Sequence, residues 1–252
     1  MRVFALSDIH VDYEENARWL ANLSRSEYLN DVLILAGDIS DEPSLFQRTL
    51  ESLTKRFLRI VYVPGNHDLW VVRSKHSDSF EKFQAICTIA RQVDVSMNPV
   101  HFGPLSIVPL HGWYDYSFGL PTESLLSSWA DYHACVWPHG VEQAAITRYF
   151  AARNLSALRT VNQRVISFSH FVPRSDLIPS YVPQSVKALL PVMGSRMLEN
   201  HIRWLNPDIH VYGHSHFNQR TEIDGISYIN NALGYPSEKW ITNKGPVCIC
   251  EL

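Results

Sequence analysis

The sequence has little of what defines several large classes of protein. It contains four cysteines and no C-x-x-C pair, which disfavours a disulfide scaffold and predicts reduced thiols in a cytoplasmic protein. It has no long run of Lys or Arg and a net charge of −3, so we do not expect a long nucleic acid as partner. No apolar stretch reaches the roughly 20 residues that cross a bilayer, so we expect no membrane partner.

What the chain does have is enough apolar residues for one large domain. Hydrophobic residues make up 46% of its 252 positions, and internal repeats, low-complexity tracts and linkers are absent from the sequence. We therefore predict a single domain spanning residues 1–252. The stretch 112–140 is rich in aromatic residues without clear periodicity and is expected to be an insertion that caps the functional site. The alternative is that its rings are simply packed in the core.

Five short apolar runs of buried-strand type each end in a polar cluster, and helical segments separate most of them. Because ligand sites of α/β sheets lie at the carboxyl ends of strands, these clusters are expected to converge there. A sixth run, Leu105–Leu110, ends at His111. The five runs with their following polar residues are Val3–Leu6 (Asp8, His10), Val32–Leu35 (Asp38), Ile60–Val63 (Asn66, His67), Val165–Phe168 (His170) and Ile209–Tyr212 (His214, His216).

Local patterns add three structural predictions. His214 and His216 would project to the same side if their segment is extended, and so would Asp8 and His10. Asp224-Gly225 predicts a hairpin turn within residues 221–229, and residues from about 141 to 161 are expected to be helical.

The donor types at the strand ends indicate transition metals. Seven of these side chains offer imidazole, carboxylate and amide donors and no thiolate, which favours Zn, Fe or Mn over Ca or Mg. They are Asp8, His10, Asp38, Asn66, His170, His214 and His216. Seven donors are too many for one tetrahedral ion, but they suit two ions that share a carboxylate. Such a pair, roughly 3.5–4 Å apart, can clamp a phosphoryl group and activate a bridging water.

Together these clusters resemble the five-block signature of the calcineurin-like metallophosphoesterases. The blocks are Asp8-x-His10, Gly37-Asp38, Gly65-Asn66-His67-Asp68, His170 and Gly213-His214-Ser215-His216, in the order of that family. The resemblance implies an α/β fold, a two-sheet β-sandwich flanked by helices, with a dinuclear metal centre at the C-terminal ends of the strands.

The resemblance also implies a role for each donor. Asp8, His10 and His216 would hold the first metal, and Asn66, His170 and His214 the second. Asp38 would bridge both ions. His67 would be the catalytic histidine that assists the leaving group. Asp41 would orient and charge His67, as in some family members, or would simply cap the helix that starts near Pro43.

We therefore predict a metal-dependent phosphohydrolase that attacks a phosphomonoester or phosphodiester of a small molecule or nucleotide with a metal-bridging hydroxide. The alternatives are a phosphoprotein phosphatase, a nuclease of the same family, and a non-catalytic scaffold like the phosphoesterase-like subunit of retromer. Glu42-Pro43 follows Asp41 where protein phosphatases continue with Arg-Gly, which weakens the first. The acidic balance weakens the second, and the retained His67 weakens the third.

Four further residues are candidates for contacts with the substrate. His111 ends a strand at the same expected edge, and Trp113 opens the aromatic stretch. Arg73 and Arg174 follow ligand blocks closely, and an arginine can grip a phosphate with two hydrogen bonds. Their alternatives are structural packing for the first two and solvated surface positions for the arginines. The identity of the metals and the oligomeric state stay open.

Overall fold

The computed structural model describes residues 1–159, 162–242 and 244–252. Its strands are β1 (Arg2–Leu6), β2 (Val32–Leu35), β3 (Arg59–Tyr62), β4 (Val95–Ser96), β5 (Val100–Phe102), β6 (Leu105–Pro109), β7 (Arg164–Phe168), β8 (Ile209–Tyr212), β9 (Gln219–Ile223), β10 (Ile226–Asn230) and β11 (Val247–Glu251). They form two mixed sheets, with the strand orders β11-β1-β2-β3-β4 and β5-β6-β7-β8-β10-β9.

Helices or 3₁₀ turns follow β1, β2, β3, β6 and β7, and helices cover the outer faces of both sheets. Short 3₁₀ turns occur at His67–Leu69, Ala157–Arg159 and Ser175–Leu177. The α-helices are α1 (Glu14–Asn22), α2 (Pro43–Thr54), α3 (Ser79–Gln92), α4 (Glu123–Ser128), α5 (Asp131–Ala134), α6 (Gln143–Asn154), α7 (Gln184–Lys187), α8 (Leu190–Met193) and α9 (Arg196–Leu205).

The continuous apolar runs reflect burial of both faces of each sheet. Along β1, Val3 and Ala5 point into a core between the two sheets, where they join branched residues such as Val61 and Ile107. The alternate residues of β1 point outward into a second core that includes the helices. A strand covered on both sides has no face that needs polar residues, which explains why period-two alternation is missing.

The parallel pairing brings the carboxyl ends of the important strands together. β1, β2 and β3 are mutually parallel neighbours in one sheet. In the other sheet, β6, β7, β8 and β10 are parallel neighbours. The predicted two-sheet α/β sandwich flanked by helices is therefore confirmed, and the polar cluster after each strand lies at one edge of the sandwich.

The local predictions have different outcomes. The hairpin is confirmed: β9 and β10 pair antiparallel, and Asp224 and Gly225 both have positive φ. The helix expected from about 141 to 161 is shorter, because α6 ends at Asn154, and residues 160 and 161 lie outside the described residues. Asp41 is not the cap of α2; the Glu42 carboxylate instead accepts from the backbone N–H groups of Ser44 and Leu45.

Candidate metal centre

The first group of donors comes from the ends of β1 and β8. His216 Nε2 lies 3.1 Å from Asp8 Oδ1 and 3.4 Å from His10 Nε2. All three side chains are buried. One carboxylate and two imidazoles therefore present donor atoms to a common point, the arrangement expected for the first metal.

The second group comes from the ends of β2, β3, β7 and β8. His170 Nε2 lies 3.0 Å from Asn66 Oδ1 and 3.2 Å from His214 Nδ1. Asp38 Oδ2 is 3.6 Å from the same His170 nitrogen and 3.8 Å from His10 Nε2, which belongs to the first group. Asp38 thus stands between the two groups, where a shared carboxylate is needed.

Hydrogen bonds outside the groups determine which nitrogen of three histidines faces inward. His170 Nδ1 donates to the Ala36 carbonyl (2.8 Å), and His214 Nε2 donates to the Val192 carbonyl (3.1 Å). His216 Nδ1 bonds to Glu238 Oε2 at 2.7 Å. A neutral imidazole that donates from one nitrogen carries a free lone pair on the other, so the inward nitrogens can bind a metal. The residues present therefore fit metal ions.

The pKa values of the donors are consistent with that fit. Burial lowers the pKa of His10 to about 3 and those of His170 and His214 to about 4, so all three are neutral near pH 7. Burial, with the Asp8 and Asp68 carboxylates nearby, raises the pKa of Asp38 well above its ordinary value. A buried carboxylate with other carboxylates nearby is a site where a cation would be stabilising.

His216 differs from the other histidines. Burial lowers its pKa, but the carboxylates of Asp8 and Glu238 outweigh burial and raise it to about 10. In turn, His216 keeps the pKa of Asp8 below its ordinary value although burial acts in the opposite direction. A metal ion in the first group would displace the proton that this pair shares.

The donor loops have left-handed backbone conformations. Asp8, His10, Asp38, His214 and His216 have φ between 43° and 67°. Non-glycine residues adopt this region rarely and at a cost of roughly 1–2 kcal/mol each. The extended geometry expected for the two i, i+2 pairs is therefore wrong. His214 and His216 consequently serve different groups instead of one point.

Asp68 holds the loop after β2 in place. Its carboxylate accepts hydrogen bonds from the backbone N–H groups of Asp38, Ile39, Ser40 and Gly65, at 2.8 to 3.1 Å. It also accepts one from the Tyr62 hydroxyl at 2.7 Å. These contacts fix the backbone that carries Asp38 and give Asp68 a supporting position away from the donor atoms.

His67 borders both donor groups and an aromatic wall. Its backbone N–H donates to Asp38 Oδ1 at 2.9 Å, and its Nε2 lies 3.9 Å from Asp38 Oδ2. Its ring stacks on Trp70, with 3.7 Å between centroids, and its Nε2 lies 3.3 Å from the Tyr235 hydroxyl. Burial and then the neighbouring histidines hold its pKa well below the usual range. His67 is thus a neutral, oriented imidazole at the edge of the site.

The structure does not bring Asp41 to His67. Arg73 Nε lies 2.9 and 3.0 Å from the two carboxylate oxygens of Asp41 and holds it from the other side. Within the described residues no hydrogen bond joins Asp41 to His67. The guanidinium of Arg73 also pairs with Asp12. Asp41 and Arg73, which the sequence predicts to contact His67 and phosphate, are therefore paired with each other. The predicted contact of Arg73 with phosphate stays a prediction.

The other three candidates for substrate contacts lie away from the donor groups. Arg174 pairs with Asp176 and Glu199, each at 2.9 Å. Trp113 is fully buried and donates its indole N–H to Gln143. His111 lines a cavity of about 540 Å³ together with Phe83 and Arg153, and none of the donors lines that cavity. Existing ion pairs and packing thus account for Arg174 and Trp113, whereas His111 Nδ1 is buried without a hydrogen-bond partner within the described residues. The substrate contacts of all three residues stay predictions.

Sequence reasoning did not identify Tyr235 and Glu238. Both lie beyond the last recognised block, in the loop after β10. That loop reaches the site only because β10 pairs in parallel with β8, a long-range contact that local patterns do not encode. The Tyr235 ring also packs on His10 and His216.

Comparison with known proteins assigns the class. Residues 1–218 match the family model described as calcineurin-like phosphoesterase, so the chain belongs to that family. It is a metallophosphoesterase, a hydrolase of phosphate ester bonds, as the sequence predicts. The scaffold alternative is therefore not supported.

Two individual proteins show how similar this chain is to other proteins in sequence and in structure. The chain is 27% identical over 268 residues to the acyl-carrier-protein phosphodiesterase PptH of Mycobacterium tuberculosis, covering 94% of this chain and 78% of that protein. The crystal structure of that phosphopantetheinyl hydrolase superposes with a TM-score of 0.77 at 23% identity, over 97% of this chain and 93% of the other. The structure of TT1561 from Thermus thermophilus shares the fold more distantly, with a TM-score of 0.50 at 14% identity over 92% and 89% of the chains.

No helix in the described residues has the length and apolar character needed to cross a bilayer.

Proposed function

We propose that this protein is a metal-dependent phosphodiesterase that releases the phosphopantetheinyl group from an acyl carrier protein. The observation that carries this proposal is the similarity to PptH, which extends over 94% of the chain instead of being confined to the signature blocks. The substrate would thus be a phosphodiester attached to a protein, whereas the sequence alone indicated a small phosphorylated molecule.

Seven side chains would hold two metal ions, from Mn, Fe or Zn. Asp8, His10 and His216 would bind the first, and Asn66, His170 and His214 the second, with Asp38 shared. When bound, the ions would supply an activated water and neutralise charge on the phosphoryl oxygens. The cytoplasmic location and the choice of manganese stay predictions.

The reaction needs help at the leaving oxygen. Hydrolysis adds the elements of water across the bond between phosphorus and the oxygen of the carrier protein, and that oxygen departs as a poor leaving group unless it receives a proton. His67 borders the donor groups, and its Nε2 is partnered by the Tyr235 hydroxyl at 3.3 Å. We therefore assign to His67 a hydrogen bond to the leaving oxygen, with Tyr235 and Trp70 orienting its ring. The proton that this oxygen finally takes up comes from the water that is added across the bond.

The test is release of the group from a carrier protein. The protein is loaded with Mn²⁺ and incubated with holo-acyl carrier protein, and intact-mass spectrometry follows conversion to the apo form. Aryl phosphodiester, aryl phosphomonoester and cyclic nucleotide serve as parallel substrates. We expect conversion to the apo form and preference for the diester, both abolished by chelation and restored by metal.

Each other outcome has a definite meaning. Hydrolysis of the aryl diester without change in the carrier protein would refute the carrier substrate and keep the diesterase activity. His67→Ala should retain both metals but lower turnover on the carrier protein by about a hundredfold or more. Unchanged turnover of this variant would refute the role assigned to His67.

A further inference from the structure

Asp131, in the insertion between β6 and α6, makes contacts that none of the five blocks supplies. It is the first residue of α5, and its carboxylate is buried at 2% exposure. Oδ1 accepts the side-chain N–H of Asn66 at 2.8 Å and the indole N–H of Trp70 at 2.7 Å. Oδ2 accepts the indole N–H of Trp129 at 2.8 Å. A single buried carboxylate thus receives three hydrogen bonds.

The hydrogen bond from Asn66 to Asp131 determines which end of the Asn66 amide can act as a metal ligand. A side-chain amide has an oxygen that can bind a cation and an NH₂ group that cannot, and the two ends have nearly the same shape. Asn66 Nδ2 points to Asp131, which leaves Oδ1 facing His170 Nε2 at 3.0 Å. If the acceptor were missing, the reversed orientation of the amide would become accessible.

We propose that Asp131 is a positioning residue that fixes the carbonyl end of Asn66 toward the second metal. Through Trp70, which stacks on His67, the same carboxylate also orients the catalytic histidine. The inference rests on the proposed ligand role of Asn66 and is independent of which phosphodiester is the substrate.

The insertion is anchored firmly enough to serve this purpose. The Val71 N–H donates to the Ala134 carbonyl at 2.8 Å, and the Ser79 N–H donates to the Val136 carbonyl at 2.7 Å. The Trp129 ring meets His214 edge-on, with 6.1 Å between centroids. The segment around Asp131 is therefore bonded to the chain that follows His67 and contacts a second donor of the same group.

The experiment measures metal affinity directly. Apo protein is titrated calorimetrically with Mn²⁺ and with Zn²⁺, and bound metal is counted by elemental analysis after gel filtration. Asp131→Ala removes the acceptor, and we expect the affinity for one of the two ions to fall by roughly 10–100-fold, as is typical when a residue supporting a ligand is lost. The affinity for the other ion should stay unchanged, because Asp8, His10 and His216 do not contact Asp131.

Two matched variants separate positioning from general damage. Asp131→Asn keeps one oxygen, which can accept from the N–H groups of Asn66 and Trp70. Its new NH₂ and the indole N–H of Trp129 are both donors, so Trp129→Phe is combined with it. We expect this double variant to bind both ions much like the wild type, so the conservative change rescues what alanine loses. Tyr132 follows Asp131 on the same short helix, and its hydroxyl contacts the hydroxyl of Tyr116. Tyr132→Phe removes that contact and should leave both metal affinities unchanged.

The results distinguish the inference from its premise. Two ions bound by Asp131→Ala with wild-type affinities would overturn the positioning role. If that variant does not fold, Asp131→Asn and Asp131→Asn/Trp129→Phe decide together: a loss of affinity in the single variant that the double variant restores supports the inference, and a tenfold or greater loss in the double variant overturns it. Failure of the wild type to bind two ions would instead refute the proposed metal centre.

Discussion

Each histidine has two ring nitrogens. In three of the donor histidines, one ring nitrogen is hydrogen-bonded to a partner outside the donor groups. His170 and His214 donate to backbone carbonyls, and His216 bonds to Glu238. A sequence can identify a histidine as a donor, but the nitrogen that faces the metal depends on these partners. Two of the partners are main-chain atoms of Ala36 and Val192, whose side chains carry no signal of the role.

A histidine of the core offers a prediction about pH. His210 is fully buried, its ring nitrogens lie 2.8 and 3.1 Å from the hydroxyls of Ser167 and Ser169, and burial lowers its pKa to about 3. The unfolded chain takes up this proton near pH 6.5 and the folded protein only near pH 3. Stability should therefore be highest above pH 6.5 and fall as the pH drops toward 3, by several kcal/mol at about 1.4 kcal/mol per pKa unit.

Urea unfolding between pH 7.5 and 4.5 would measure this loss. His210→Gln keeps a polar side chain but cannot titrate, so its free energy of unfolding should vary less steeply with pH than that of the wild type. All other titrating groups are common to both proteins. Equal slopes would show that His210 does not contribute to the acid sensitivity.

At the scale of elements, the stretch 112–140 performs more than one task. Trp113 and Tyr114 at its start are fully buried in the core, while α5 carries Asp131 to the donor groups. The expectation of an aromatic cap over the site thus stays a prediction for the later part of the stretch only. Near its start, packing explains the aromatic residues.

Trp113 and Leu120 allow this division to be tested within one stretch. Trp113→Ala should lower the free energy of unfolding by about 3–5 kcal/mol, because it empties a large buried volume. Leu120 is 89% exposed, and Leu120→Ala should change stability by less than about 0.5 kcal/mol. Chemical denaturation of both variants provides the comparison. A Trp113→Ala protein of normal stability with a raised KM would instead place Trp113 at the substrate.

The predictability of the site follows from how each loop is built. Asp8, Asp38 and His170 could be identified because each directly follows an apolar run that forms a strand. Tyr235 and Asp131 could not be identified in this way. Tyr235 reaches the site through the pairing of β10 with β8, and Asp131 reaches it through the path of the stretch 112–140. The strands themselves were recognisable because burial on both faces leaves continuous apolar runs. The left-handed conformations could not be predicted, because glycine is the usual sequence signal for a positive φ and these positions hold Asp or His.

For the whole molecule, metal binding and stability should be linked. Buried donors and left-handed loops gather around the two groups, and ions that bind only the folded state stabilise it, by about 2.7 kcal/mol at a hundredfold excess over Kd. At this chain length, each kcal/mol corresponds to roughly 2–4 °C in Tm. Each of the two sites would contribute this amount, so we expect chelation of both ions to lower Tm by roughly 10–20 °C.

Differential scanning calorimetry with and without a chelator would measure the shift. Because Asp38 stands between both groups, Asp38→Asn should lose both ions together and show almost no further change on chelation. Elemental analysis that finds two full equivalents in this variant would contradict the shared position. A wild-type Tm indifferent to chelation would show that the loops are held without metal.

The order in which the chain is synthesised limits when the first donor group can form. His10 and His216 stand 206 residues apart in the chain, and Glu238, which orients His216, comes later still. At translation rates of about 5–20 residues per second, His10 waits roughly 10–40 s for its partner to be synthesised. The nascent chain therefore cannot capture an ion at this group early in synthesis. An ion bound at this group would therefore reflect the metals available after Glu238 has been synthesised.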